Sequence, residues 1–324
     1  MRLLAALPLL LTGLIAGCAA PGDTGDPGNT TKTEPRAQTE TPDRGWRWES
    51  YGGIELQVPE AYEWNTSGSP LYPAWCAFTG DEESPVPAVN RVRGQAVPSI
   101  GCTPERPVST YAPAVDLDSD QRVGTVRLDG GWVSETVEVA GVKVTVSDDD
   151  AARRKRILRS IRPIGETDVH GCRPGTDLVR PGERPSSSAP AADDVTSVAI
   201  CRYAVPNRVQ PEGPAQPLVS SSRLSGAVAA ELVRALVAAP EGTGPNSPEN
   251  CAPEVALGDE VVVLRIGSSR GLHEVVVRYS GCVGNGTDDG TTTRRSTSDV
   301  LNAVLTGPNQ PTSLQGNVAA LLDW

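Results

Sequence analysis

Cys76, Cys102, Cys172, Cys201, Cys251 and Cys282 are spread along most of a 324-residue chain and limit what it can fold into. None lies in a Cys-x-x-Cys arrangement or at ligand spacing from a histidine, which disfavours zinc. An even set of this kind reads as a disulfide framework wherever the compartment is oxidising. Sequential pairing, Cys76 with Cys102, Cys172 with Cys201 and Cys251 with Cys282, keeps each bridge inside one supersecondary unit. Closing loops of these lengths would stabilise by roughly 3 to 4 kcal/mol each in the chain-entropy model. The third pair has a further argument. Cys251 precedes the first strand of an expected hairpin and Cys282 follows the second, and antiparallel pairing brings those ends together.

The N-terminus supplies the compartment. One charge, Arg2, is followed by the apolar run LLAALPLLLTGLIAG and then Cys18. The run is too short to cross a hydrocarbon core of about 30 Å, and no other stretch is long and apolar enough to span. Leu14-Ile15-Ala16-Gly17-Cys18 resembles the lipobox of bacterial lipoproteins. The resemblance implies that residues 1–17 are a signal peptide and that the mature chain begins at an acylated Cys18, anchored to the extracytoplasmic face of the cell membrane. Residues 18–44 contain no Leu, Ile, Val or aromatic residue and are dense in Thr, Pro, Gly and Asp. Such a segment cannot build a core and reads as a disordered tether. Its root-mean-square span would be roughly 30 Å.

The net charge is −11, and loss of residues 1–17 removes Arg2 and no acid. An acidic surface repels phosphate backbones, so nucleic acid is not an expected partner. The one dense basic run, Arg153-Arg154-Lys155-Arg156, reads as a solvated helix face.

Residues 45–165 form a first module. Trp46 and Trp48, then Ile54, Leu56 and Val58, fall at alternate positions as in half-buried strands. Val137 and Val139, then Val142, Val144 and Val146, flank Ala140-Gly141 as a hairpin. A helix follows, capped by Asp148 or Asp149, with Ile157, Leu158 and Ile161 at helical spacing and Pro163 beyond its end. Residues 166–194, rich in Pro and Ser, read as a linker.

The second module, 195–324, opens on Val195 to Tyr203, apolar on both faces like a central strand. A helix carrying Val228, Leu232, Val233, Ala235, Leu236 and Val237 ends before Pro240 and Gly242. Val261 to Ile266 and Glu274 to Tyr279 form a hairpin about GSSRG, Ser298 caps a helix with Val300, Leu301, Val304 and Leu305, and the tail through Val318, Leu321, Leu322 and Trp324 is a short amphipathic helix. The expectation is an α+β fold of two small disulfide-bonded modules, each an antiparallel sheet with one or two packed helices.

The strand segment WRWESYGGIELQVPEAYEW, the closing hairpin and the helix RRKRILRSIRP are similar to the opening and ending of small PsbP-like domains in exported lipoproteins. CRYAVPNR and VVVRYSGCVGNG resemble segments of lipoproteins from high-GC Gram-positive bacteria. The resemblance implies an α/β sandwich acting as a binding or accessory module, and it carries over no catalytic residue.

Chemistry-bearing patterns are few. Gly267-Ser268-Ser269-Arg270-Gly271 matches G-x-S-x-G, but it joins two strands rather than a strand and a helix, so Ser269 reads as a turn residue. His170 and His273 are the only histidines and read as surface or turn residues. Asp116, Asp118 and Asp120 start like a calcium loop, but Gln121 and Arg127 stand where Gly and Glu are required. Asp288-Asp289-Gly290 reads as a turn. No catalytic set, metal site or cofactor is expected.

Eight of thirteen aromatic residues, Trp46, Trp48, Tyr51, Tyr62, Trp64, Tyr72, Trp75 and Phe78, crowd into one stretch. Most suit a core, while Tyr62, Trp64, Tyr72 and Trp75, in or near a Gly/Ser/Pro-rich loop, are the candidates for stacking on a ligand. The sequence therefore points to a non-enzymatic, lipid-anchored envelope protein that binds a cell-wall polymer, a small ligand or a protein partner. A hydrolase acting on cell-wall material is the alternative.

Overall fold

Antiparallel hairpins begin the fold where the tether composition stops. The computed structural model describes residues 41–65, 86–91, 108, 111–205, 216–253, 256–311, 314 and 316–322. Residues 1–40, which include Cys18, and Tyr72, Trp75, Cys76, Cys102 and Trp324 lie outside the described residues.

In the first module, β1 (Trp46–Tyr51) and β2 (Ile54–Pro59) pair as the alternation predicts. Gly52 makes their turn at a φ of 55°, a value that favours glycine. Short strands β3 (Glu63–Asn65), β4 (Ala88–Arg91), β5 (Ala114–Leu117) and β6 (Gly124–Arg127) precede the hairpin β7 (Val133–Val139) and β8 (Val142–Asp148). Helix α1 (Ala151–Ser160) and the two-residue β9 (Arg162–Pro163) close the module. The sheets are β1-β2-β9 and β3-β4-β5-β8-β7-β6. Antiparallel pairing prevails, except that β3, β4 and β5 run parallel to one another. Ile54, Leu56 and Val58 from β2, Val144 and Val146 from β8, and Ile157 from α1 share one core.

The helix begins later than its sequence suggests. Asp150, not Asp148 or Asp149, is the N-cap, accepting from the backbone N–H groups of Ala152 and Arg153. Those bonds hold its carboxyl below the usual carboxylate range. Asp148 is spent elsewhere, as a buried acceptor for Arg153.

The second module is a six-stranded antiparallel sheet in the order β11-β10-β12-β13-β14-β15. Its strands are β10 (Val195–Ala204), β11 (Leu218–Ser225), β12 (Glu260–Ser268), β13 (Gly271–Arg278), β14 (Gly286–Asp288) and β15 (Thr293–Arg294). β10 is central, between β11 and β12, which is why its side chains are buried on both faces. Helices α2 (Gly226–Ala238), α3 (Ser298–Val304) and α4 (Gly316–Ala319) follow the apolar stripes, with Thr297 rather than Ser298 as the N-cap of α3. Residues from all three helices cover one face of the sheet, against Val198, Ile200, Val262, Leu264 and Val277.

Residues 166–194, read from sequence as a linker, contribute to the packing of the opposite face. Cys172, Leu178 and Val179, with Ile164 just before them, join a core with Ala199, Cys201, Tyr203, Val261 and Val263. Asp168 shapes this strap by accepting from the backbone N–H groups of His170 and Cys172, while the Ser221 hydroxyl donates to its other oxygen at 2.5 Å. Arg223 and Arg265 donate to the carbonyls of His170 and Gly171. The disulfide Cys172–Cys201 fastens the strap to the central strand, and Cys251–Cys282 ties the loop before β12 to the end of β13. The fold is thus α+β with two disulfides as paired from sequence. The modules also touch: Ala204 and Val219 enter the core of the first module, and the Gly52 N–H donates to the Leu218 carbonyl at 2.7 Å.

Candidate functional site

Strand alternation on β1 places Trp46 and Trp48 on one side and Arg47 and Glu49 on the other. Each ring meets a guanidinium. Arg156 from α1 lies 3.8 Å above Trp46, Arg162 from β9 lies 4.3 Å above Trp48, and Arg47 lies 4.2 Å above Trp64 of β3. Stacking of this kind contributes roughly 0.5–1 kcal/mol at exposed sites and more where water is excluded. The result is two arginine–tryptophan clusters on opposite sides of β1, one of Trp46 and Trp48 with Arg156 and Arg162, the other of Trp64 from β3 with Arg47. Asp43, at the point where the described chain begins, accepts from Arg156 at 2.7 Å.

Glu49 organises the cluster of Arg47 and Trp64. Its carboxylate is 1% exposed and accepts from Arg47 Nε at 2.7 Å, from Arg91 Nη2 at 2.5 Å and from Trp64 Nε1 at 2.6 Å. Arg91 also donates to the Val219 carbonyl at 2.9 Å, across to the second module. Desolvation pushes the Arg91 pKa down from the usual arginine value, and the Glu49 charge opposes that.

The proposed stacking residues divide. Trp64 is half-buried, with Arg47 on its ring and Gly307 packed nearby. Tyr62 is a correction: it is 4% exposed and belongs to the core, so its ring is not offered to a ligand. Its hydroxyl donates to Asp148 at 3.3 Å, and burial together with the Asp148 charge pushes its pKa well above the ordinary phenol value. Tyr72 and Trp75 lie outside the described residues.

The basic run of α1 is partnered more than a solvated face would be. Arg153 forms two short bonds to Asp148, Arg154 lies 3.6 Å from Glu135, and Arg156 holds Asp43, while Lys155 is exposed.

A second buried pair joins strands of the second module. Arg202 Nη1 lies 3.3 Å from Glu260, which also accepts from the Tyr279 hydroxyl at 3.0 Å. Arg202 donates to Ser220 and to the Gln310 carbonyl, and Ser220 donates to Asn309. Burial and the Glu260 charge raise the Tyr279 pKa well above its ordinary value. Sequence reasoning passed over this network because its members lie far apart along the chain.

The remaining candidates resolve as local structure. GSSRG is a hairpin turn between β12 and β13, as expected. The serine that meets His273 is Ser268, not Ser269, with Oγ 3.1 Å from Nε2 and the Ser188 carbonyl 2.9 Å from Nδ1. The Ser268 oxygen also accepts from the Arg270 N–H inside the turn. His170 lies in the strap, where its carbonyl accepts from Arg223. Asp116 is buried and bonded to Asn90, Asp118 accepts from Tyr51, and Asp120 contacts Gln121, so the three carboxylates serve different partners. Asp288 is gripped by both arms of Arg184, and Asp289 accepts from Thr291 and Thr292 in a turn. Among the described residues there is no group of three or more His, Cys, Asp or Glu that could hold a metal. Nor, among them, is any helix long and apolar enough to cross a membrane.

The arrangement has a clear chemical character. Its acids are engaged by guanidinium and N–H donors, which leaves few of their lone pairs for proton transfer. Trp48 is only 7% exposed, and the guanidiniums over Trp46, Trp48 and Trp64 are each paired with a carboxylate, from Asp43, Glu55 and Glu49 respectively. No family model, no curated protein and no solved structure matches the chain.

Proposed function

We propose that this is a non-enzymatic lipoprotein of the cell envelope, anchored through Cys18 on the extracytoplasmic face of the membrane, whose folded body binds a partner through the face that carries Trp46 and Arg156. The observation that carries the anchor is Leu14-Ile15-Ala16-Gly17-Cys18 after an apolar run. Two disulfides fit an oxidising compartment. The guanidinium over the half-buried Trp46 ring supports binding of anionic groups rather than bare sugar stacking.

Replacing Cys18 with alanine in the native host should move the protein from the membrane fraction to the soluble one, or leave an unprocessed precursor. Intact mass of the wild-type chain should show cleavage before Cys18 and added acyl groups. A processed Cys18→Ala chain that stays with the membrane after a high-salt wash would refute the anchor.

The contact between Ser268 and His273 gives the hydrolase reading its one geometric support. His273 is oriented by a backbone carbonyl instead of a carboxylate, and an Oγ that already accepts the Arg270 N–H is a weakened nucleophile. Treatment with a fluorophosphonate should therefore leave Ser268 unlabelled, as read by peptide mass. Stoichiometric labelling there would establish the hydrolase instead.

A further inference from the structure

We propose that the C-terminal half of α1, with the segment that enters β1, docks on the anionic phospholipid headgroups of the bilayer that holds the anchor. This rests on the lipid-anchor reading and names the partner of the same face.

Three observations converge. The first is where the chain enters. Asp43 is bonded to Arg156 at 2.7 Å, and the Trp46 N–H donates to the Asp43 carbonyl at 3.0 Å, so the segment leading from Cys18 joins the fold on the surface of α1. The described chain therefore begins beside this helix.

The second is charge. The chain is strongly acidic, yet Arg44, Lys155 and Arg159 are exposed and have no acidic partner within 4 Å among the described residues. Lys155 and Arg159 are four residues apart and share one side of the helix. Arg156 beside them is balanced by Asp43. The N-terminal end of α1 differs: Arg153 lies among Asp148, Asp149 and Asp150, and Arg154 faces Glu135. The helix is therefore polarised, with its uncompensated cations toward the end that carries Lys155 and Arg159.

The third is the ring beneath. Trp46 is half-buried under the Arg156 guanidinium. An aromatic body with a polar edge, next to a cation on a long aliphatic stem, suits the headgroup layer, where one end of each group is wet and the other is not. An anionic leaflet attracts each such cation enough to shift partitioning about fivefold, and the attraction fades within a Debye length.

The test uses the full mature chain with Cys18 changed to Ala, so that no acyl group contributes, and large unilamellar vesicles in low salt. Vesicles containing phosphatidylglycerol should sediment the protein and shift tryptophan emission to the blue, and neutral phosphatidylcholine vesicles should not. A variant carrying Arg44→Gln, Lys155→Gln and Arg159→Gln should bind phosphatidylglycerol vesicles roughly 100-fold more weakly, three fivefold steps compounded. A variant carrying Arg180→Gln and Arg234→Gln, exposed cations on the strap and on α2, should bind as the parent does. Because the three cations are exposed, thermal melting of the triple variant should match the parent, which separates lost docking from lost folding. Equal binding to neutral vesicles, unchanged binding by the triple variant, or soluble polyglycerol phosphate displacing the vesicles would overturn the proposal. An unmodified Cys18 in the mass of the processed wild-type chain would instead refute the anchor reading, and the vesicle experiment does not depend on that result.

Discussion

Replacing Glu49 with alanine is expected to destabilise the fold by about 3–5 kcal/mol, the usual consequence of stranding a buried charge. Three donors converge on this carboxylate, and the Arg91 side chain is only 3% exposed. With Glu49 gone, Arg91 keeps the Val219 carbonyl as an acceptor. Desolvation already lowers the Arg91 pKa with the pair intact, and losing Glu49 removes the charge that opposes it. The pair itself need not add net stability, since removing both charges together is often neutral. Glu49→Leu combined with Arg91→Met should therefore recover most of the stability that Glu49→Ala loses. Urea unfolding of the parent, Glu49→Leu, Arg91→Met and the double variant would give the coupling from the cycle, with Glu49→Ala measured beside them. A Glu49→Ala chain within 1 kcal/mol of the parent would mean that water reaches this pair.

The same residues show where sequence reading stops. β1, β2, β7, β8, β10, β12 and β13 were legible because apolar alternation, or an unbroken apolar run for the central strand, is a local signal. β11 was missed because Ser220, Ser221 and Ser222 break that signal. Their polarity is satisfied by Asn309 and Asp168, which are distant in sequence. β3, β4 and β5 were missed because each has three or four residues and pairs in parallel with a strand more than twenty residues away.

The aromatic crowding was visible, but its chemistry was not. Nothing local to Trp46 or Trp48 announces that Arg156 and Arg162 will cover their rings. The basic run was read as solvated for the same reason, since its acceptors Asp43 and Glu135 lie outside the helix. Tyr62 follows a Glu and an Ala in an exposed turn, and only the core beside Val89 and Val115 makes it an inside residue. The cap of α1 was misplaced because three consecutive aspartates offer equivalent caps. Burial of Asp148 against Arg153 decides among them.

Removing the disulfide Cys172–Cys201 by a double change to alanine should cost about 3.5 kcal/mol, from the chain entropy of a loop whose ends are 29 residues apart. The corresponding change at Cys251–Cys282 closes a loop of nearly the same length, 31 residues, and by entropy alone should cost the same. Burial separates them. Cys172 and Cys201 are both fully buried between the strap and the central strand, whereas Cys251 is partly exposed in a loop. Loss of the first bridge therefore leaves space in a packed layer with Ala199, Tyr203 and Val263, and cavities add their own penalty. The first double variant should be less stable than the second by about 1 kcal/mol or more. Hydrogen exchange should place the loss: amides of Asp168 to Val179 should become fast while those of α2, on the other face of the sheet, stay protected. If both variants lose equal stability and the strap stays protected, then Asp168, Arg223 and Arg265 hold the strap without help from its covalent bond.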